Sequence, residues 1–338
     1  MASPVTGKPI SRLRWRRVAR NLALAAFVVI ASAALIVAIH GRNWMARAIA
    51  TAPNAGKAFA PAPGDDPSSS QCHDIGVDAH LRVNLGDPDP VSLSLYLVEP
   101  KGPPRGTVLV LHGIRSDKLW FIGQAQRVAA EGYRVVLPDL RGHGRSSGEW
   151  LSYGVREAND LRRLLDDLDH RGLVAGRVGV VGTSYGAAIA IQLAGIDPRV
   201  RAVVAVAPFS SLHAVVPDYA RHYLPGVAAL IPDAFLSAGV AQAGQLGTFD
   251  PNAASPLLAI ARTTANVLLI HGQADANIPP SHSVVLSVAA PDHTRLILVP
   301  GDDHFSIVSD RSAAISRDGM AWLHRWLDTE EPAAATRP

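Results

Sequence analysis

Three residue types stand along the chain in an order that can carry nucleophilic catalysis. They are a serine inside Gly182-Thr183-Ser184-Tyr185-Gly186, an aspartate at 275 and a histidine at 304. A serine hydroxyl is a poor nucleophile at neutral pH, so a base must take its proton during attack. His304 would take it and later protonate the leaving group, while Asp275 would fix the imidazole tautomer and stabilise the imidazolium. Asp302 and Asp303 compete for the acid role, but they adjoin His304 in sequence. An orienting carboxylate usually comes from a separate loop, which favours Asp275.

The surroundings of these residues predict the elements that position them. Residues 178–190 read VGVVGTSYGAAIA, an apolar strand, the G-x-S-x-G turn and a small-residue helix. Such a tight turn holds the serine in a strained backbone conformation with its hydroxyl at the top of a sheet. Asn266–Ile270 is an apolar run leading to Asp275, and Arg295–Val299 repeats the design ahead of His304. Thr107–Leu111 ends in His112-Gly113-Ile114. The backbone N–H groups of Ile114 and Tyr185 are the candidates for an oxyanion hole. His112 reads as structural. So does the loop Asp139–Ser146, where Asp139 and Arg141 can hydrogen-bond within a glycine-rich turn.

Further apolar runs at Tyr133–Leu137, Val178–Val181 and Ala202–Ala207 suit strands covered on both faces. Ala79–Asn84 and Val91–Glu99 flank the turn-rich residues 86–90 and predict an antiparallel pair opening the sheet. Leu161, Leu164, Leu165 and Leu168 mark an amphipathic helix, with Arg162–Asp166 and Arg163–Asp167 spaced to pair on its outer face. Met320, Leu323 and Leu327 mark another near the C-terminus. Alternating strand and helix gives an α/β fold with a mostly parallel, doubly wound sheet, whose chemistry lies at the carboxyl ends of the strands.

Taken together, LHGI at 111–114, PDLRGHGRSSG at 138–148, GTSYG at 182–186, HGQAD at 271–275 and GDDHF at 301–305 resemble the α/β-hydrolase superfamily. The resemblance is greatest to bacterial serine aminopeptidase-like and monoacylglycerol-lipase-like hydrolases, and it covers residues 78–328. It implies the same triad roles for Ser184, Asp275 and His304. The segment between Ala207 and Asn266, where this superfamily often inserts a cap, is short and holds Tyr219, Tyr223, Leu224, Leu230 and Phe235. A short cap over an open or lightly covered pocket is expected.

The N-terminus carries a different signal. Residues 22–39 form an uncharged run whose helix would be about 27 Å long, near the hydrocarbon thickness of a bilayer. Lys8, Arg12, Arg14, Arg16, Arg17 and Arg20 precede it, against Arg42 and Arg47 after it. The positive-inside rule then predicts a basic cytoplasmic tail at 1–21, a single-pass signal anchor at 22–39, a linker at 40–74 and a catalytic domain at 75–330 on the extracytoplasmic side. The stretch from 49 to 72, rich in Ala, Pro, Gly and Ser, reads as the linker proper. The anchor makes the bilayer a partner. Cleavage as a secretory signal and burial as a core helix are the alternatives for the same run.

Hydrophobic residues make up 48% of the 338 and charged residues 18%, enough apolar content for a sizeable core. The net charge of +3 is concentrated in the tail, and no basic cluster interleaved with aromatics marks the domain as a nucleic-acid binder. The single cysteine, Cys72, permits neither an internal disulfide nor a cysteine-built zinc site. The expected activity is cleavage of small carboxylic esters through an acyl-enzyme, with no metal and no organic cofactor. Peptidase or amidase action and acyl transfer are alternatives within the same chemistry. A catalytically silent binding module is the alternative of another class. The pattern leaves the oligomeric state open.

Overall fold

The computed structural model describes residues 12–56, 66–309 and 315–328. Eight strands form one sheet: β1 (Ala79–Leu85), β2 (Val91–Val98), β3 (Gly106–Leu111), β4 (Arg134–Pro138), β5 (Arg177–Thr183), β6 (Val200–Val206), β7 (Asn266–Gly272) and β8 (Thr294–Val299). Their spatial order is β1-β2-β4-β3-β5-β6-β7-β8. β2 runs antiparallel to both β1 and β4, and every later pairing is parallel. The helices are α1 (Arg12–Ala50), α2 (Ser69–Asp74), α3 (Ile122–Ala130), α4 (Glu157–His170), α5 (Tyr185–Ala194), α6 (Leu212–Tyr223), α7 (Asp233–Gly247), α8 (Pro256–Ile260), α9 (Ser281–Ala289), α10 (His304–Val308) and α11 (Met320–Leu327).

Alternation along the central strands divides the core in two. Leu109 and Leu111 of β3 join α4, α5 and α8 in one apolar cluster, while Val108 and Val110 join α3 and α11 in the other. A strand buried on both faces has no solvent side, which is why these strands read as continuous apolar runs. The edge strands β1 and β8 are only partly buried.

The expected anchor at 22–39 falls inside α1. The side chains of residues 12–19, 30, 31 and 33–39 lie outside the described residues, as does the tail at 1–11. Leu22, Leu24, Phe27, Val28 and Val29 are exposed. Among the described residues, however, no helix is long and apolar enough to cross a membrane, so the transmembrane assignment gains no support there.

Past residue 40 the structure differs from the expected linker. Ala46, Ile49, Ala50 and Ala52 are buried in the main core cluster. Met45 seats against Gly239 of α7, where an added Cβ would lie 1.6 Å from its methyl carbon. The Leu151 N–H donates to the Ala50 carbonyl at 2.7 Å and the Ala52 N–H to the Glu149 carbonyl at 3.0 Å. Asn54 donates to the carbonyls of Gly144 and Ser146, both at 3.0 Å. Small residues read as linker because they show no period, yet small size is what close approach to α7 and to the loop at 142–151 requires. Residues 57–65 of the expected linker lie outside the described residues. Cys72, placed in the same linker, is instead buried beside Val77 and Tyr96.

The i, i+4 pairs expected on α4 do not form. Arg163 donates to the carbonyls of Gly86 and Asp89, and Asp166 accepts from Arg199. Asp167 pairs with Arg171. For Arg163 and Asp166, partners brought in by the tertiary fold outcompete an exposed helical pair, which contributes only about 0.3–0.5 kcal/mol, while Asp167 keeps an i, i+4 pair with Arg171 in place of Arg163.

Candidate active site

The strand ends deliver the predicted residues to one place. β5 runs directly into Ser184, whose φ of 53° and ψ of −115° put a non-glycine residue in the left-handed half of backbone space. The flanking glycines make this possible. A Cβ on Gly182 would sit 2.4 Å from the Gly186 carbonyl oxygen, and one on Gly186 would sit 2.6 Å from the carbonyl oxygens of both Leu111 and His112. No side chain fits where the turn folds back on itself and on β3. The strain is opposed by the Ser184 N–H, which donates to the Val206 carbonyl at 2.7 Å.

Asp275 and His304 come from the loops after β7 and β8, which are stitched together where the Ala274 N–H donates to the Asp302 carbonyl at 2.9 Å. His304 Nδ1 lies 2.6 Å from Asp275 Oδ2, and His304 Nε2 lies 3.1 Å from Ser184 Oγ. A carboxylate can only accept, so Nδ1 carries the proton and Nε2 presents its lone pair to the serine hydroxyl. Asp275 Oδ1 accepts from the backbone N–H groups of Asn277 at 3.0 Å and Ile278 at 2.8 Å. Burial of Asp275 favours the neutral acid. His271, 3.4 Å away, together with His304 and the Ile278 N–H, outweighs that and holds the carboxyl well below the usual carboxylate range.

Asp302 and Asp303 take other work. The Asp303 carboxylate caps α10 by accepting from the Ser306 N–H at 2.8 Å, and Asp302 accepts from the Ser306 hydroxyl at 3.1 Å.

The two predicted oxyanion donors flank Ser184. Tyr185 opens α5, where N–H groups have no partner within the helix. The Ile114 N–H is aimed by the peptide before it. The Leu140 N–H donates to His112 Nε2 at 3.0 Å, so His112 carries its proton on Nδ1 and donates to the Gly113 carbonyl at 2.8 Å. In a trans peptide the N–H points opposite the carbonyl, so pinning the Gly113 oxygen turns the Ile114 N–H the other way. Gly113 itself packs on Ser184: a Cβ there would meet the serine Cβ at 3.6 Å.

With this geometry stands the likeness to known proteins. The family model for serine aminopeptidase, S33, matches residues 102–249. An uncharacterised Bacillus subtilis protein, YqkD, is 30% identical over 185 residues, 53% of this chain and 58% of its own length. Lipase LipV of Mycobacterium tuberculosis is 35% identical over 126 residues, 36% of this chain and 44% of its own. An esterase of Pyrococcus furiosus shares the fold with a TM-score of 0.58 at 21% identity, over 78% of this chain and 95% of its own. In these matched residues the chain is similar to α/β hydrolases of the serine aminopeptidase type, and it spans 58% of YqkD and 44% of LipV.

The loop after β4 braces the segment at 112–118. Asp139 accepts from the backbone N–H groups of Lys118 at 2.9 Å and Arg145 at 2.8 Å. It also pairs with the buried Lys118 ammonium, whose pKa burial pushes down. Arg141 leaves the loop it was expected to brace and forms a bidentate pair with Asp160, both bonds at 2.7 Å.

Several site-supporting residues carry no sequence signal of their own. Glu157, 1% exposed, accepts from the Tyr185 hydroxyl at 2.9 Å and from the N–H groups of Ser152 and Gly154. It therefore anchors the residue after Ser184 from α4. His271 lies within the quoted HGQAD motif, yet its contact with Asp275 is visible only in three dimensions. The short cap segment supplies α6 and α7, with Tyr223, Leu224, Val227 and Leu230 exposed on and after α6.

Proposed function

We propose that this hydrolase cleaves small carboxylic esters through an acyl-enzyme on Ser184. The observation that carries the reading is the relay from Ser184 Oγ to His304 Nε2 at 3.1 Å and from His304 Nδ1 to Asp275 at 2.6 Å, built on the strained turn. Ser184 attacks the ester carbonyl as His304 Nε2 takes its proton. The Ile114 and Tyr185 N–H groups receive the developing oxyanion, a contribution of about 10²–10³ in rate per donor. The imidazolium, steadied by the ionised Asp275, then protonates the leaving alkoxide. Water repeats the sequence on the acyl-enzyme and frees Ser184.

The name of lipase LipV supports an ester over an amide substrate. The test is turnover of p-nitrophenyl esters of rising chain length by the full chain, beside Ser184→Ala with its fold checked by circular dichroism. Loss of turnover and of fluorophosphonate labelling in a folded mutant is expected. Turnover that survives the substitution would sink the acyl-enzyme. Amides and acyl-accepting alcohols assayed in parallel separate the peptidase and acyl-transfer alternatives. A wild type silent and unlabelled throughout would leave a binding module.

For location, we propose attachment to a membrane through residues 22–39, with the domain on the extracytoplasmic side. The exposed Leu22, Leu24, Phe27, Val28 and Val29 on an uncharged run support it, as do the basic residues ahead of that run. Release of the full chain into the supernatant by alkaline carbonate would overturn it.

A further inference from the structure

A second buried Ser–His–Asp constellation lies outside the triad. His282, in the first turn of α9, is 4% exposed. Its Nδ1 accepts from the Ser210 backbone N–H at 3.1 Å, which fixes the ring as the neutral tautomer with its proton on Nε2. The Ser210 hydroxyl therefore also donates to Nδ1, at 2.8 Å, and Nε2–H donates to Asp218 Oδ2 at 2.9 Å. This serine is no second nucleophile. Its hydroxyl and amide are both committed to one ring nitrogen, and its φ lacks the strain found at Ser184. The arrangement is a clamp from the loop after β6, through α9, to the middle of α6.

The adjacent residue of α9 faces the triad. His271 Nε2–H donates to the Ile278 carbonyl at 2.8 Å, so the Ser283 hydroxyl donates to His271 Nδ1, at 2.7 Å. His271 in turn lies 3.4 Å from Asp275 Oδ2. Two consecutive side chains thus hold the acid loop and the cap helix from one turn. α6 needs such a hold. Pro217 interrupts its hydrogen-bond ladder one residue before Asp218, and the chain at 221–227 is exposed. The residue after Asp218 is Tyr219, which packs on the main core cluster. Burial raises its phenol pKa, and the negative charge of Asp275 adds to the rise, which sets Tyr219 within electrostatic reach of the triad.

We propose that His282 is a positioning residue: through Asp218 it holds α6 so that Tyr219 forms one wall of the substrate site and sets acyl-chain preference. The proposal rests on the Ser184 reading. It gives Tyr219 a role in specificity and leaves the chemistry to the triad.

The test uses the full chain with p-nitrophenyl esters from acetate to decanoate, and fluorophosphonates bearing short and long alkyl chains. Asp218→Ala opens the clamp from the half-buried cap side, and His282→Ala opens it from the core. Asp218→Asn keeps an oxygen for Nε2–H and serves as the conservative rescue. We expect Asp218→Ala and Tyr219→Ala to change the chain-length ranking alike, each raising KM for the preferred ester by about fivefold or more. The kcat of Asp218→Ala on acetate should stay within about threefold. The double variant should go no further than Tyr219→Ala, and Asp218→Asn should keep the wild-type ranking. Uniform loss of kcat with an unchanged ranking, or additive effects in the double variant, overturns the clamp. The fluorophosphonate ratio carries the same comparison without ester turnover, should His282→Ala fail to fold or the esters prove poor. Activity surviving in Ser184→Ala would instead sink the nucleophile reading, and a chain neither turned over nor labelled overturns both.

Discussion

Replacing Asp275 with asparagine tests the relay at its most determinate point. The carboxamide has two orientations. With its oxygen in the Oδ1 position it keeps the bonds from the Asn277 and Ile278 N–H groups, at 3.0 and 2.8 Å in the wild type. Reversed, its NH₂ would face those two buried donors, at about 1–3 kcal/mol for each left unsatisfied. The first orientation therefore wins, and it turns the NH₂ toward His304 Nδ1, where Oδ2 stood 2.6 Å away. Two donors cannot share that contact, so the ring proton moves to Nε2. The lone pair that would have taken the Ser184 proton is gone. Holding a triad histidine in the wrong tautomer costs about 10⁴ in kcat, or about 5.5 kcal/mol. The assay is kcat and kcat/KM on a p-nitrophenyl ester at neutral pH, with thermal unfolding as the control for fold. A folded Asp275→Asn protein that loses less than about tenfold would refute both the tautomer argument and the assignment of the acid.

The neighbouring carboxylates give the complementary expectation. Asp303→Ala should keep kcat within a few-fold while lowering the urea midpoint through loss of an N-cap; urea unfolding beside the ester assay separates the two. Gly186→Ala should abolish both folding yield and activity, because its Cβ has only backbone oxygens 2.6 Å away to displace; soluble, active protein would contradict the close crossing at the turn. Burial holds His143 at about 4, below its ordinary 6.5. The unfolded chain then binds more protons than the folded one between those values, so stability is full above pH 6.5 and is lost as pH falls toward 4, by about 3 kcal/mol. His143→Asn can retain the donor to the Arg141 carbonyl and should flatten the urea midpoint across that window; parallel curves for the two proteins would count against it.

The meeting of Ser184, Asp275 and His304 was legible because its signals are local. A G-x-S-x-G turn after an apolar strand, and two apolar runs ending in Asp275 and His304, need no knowledge of tertiary contacts. All eight strands read from continuous or alternating apolar runs for the same reason. What escaped depends on partners distant in sequence. His282, Ser210 and Asp218 share no motif, since 72 residues separate the first two and 64 the first and third. Glu157 belongs to no motif, and only the fold shows its carboxylate turned inward to Tyr185. Residues 46–54 escaped because close packing of alanines leaves no periodic trace. The charge pairs expected on α4 gave way to distant carbonyls at Arg163 and to Arg199 at Asp166 for a related reason: helical spacing fixes which neighbours are available, and tertiary structure fixes which are better.

The way α1 joins the domain has a mechanical consequence. Thirty-nine residues in one helix make a rod about 58 Å long. Its last turns are gripped by Met45 against α7, by buried alanines and by a backbone bond to Leu151. A slack tether conveys only proximity, and a domain on one tumbles freely. A gripped rod also conveys torque and heading. Whatever holds the N-terminal end of α1 therefore sets which way the domain faces, and every copy held alike presents the same side.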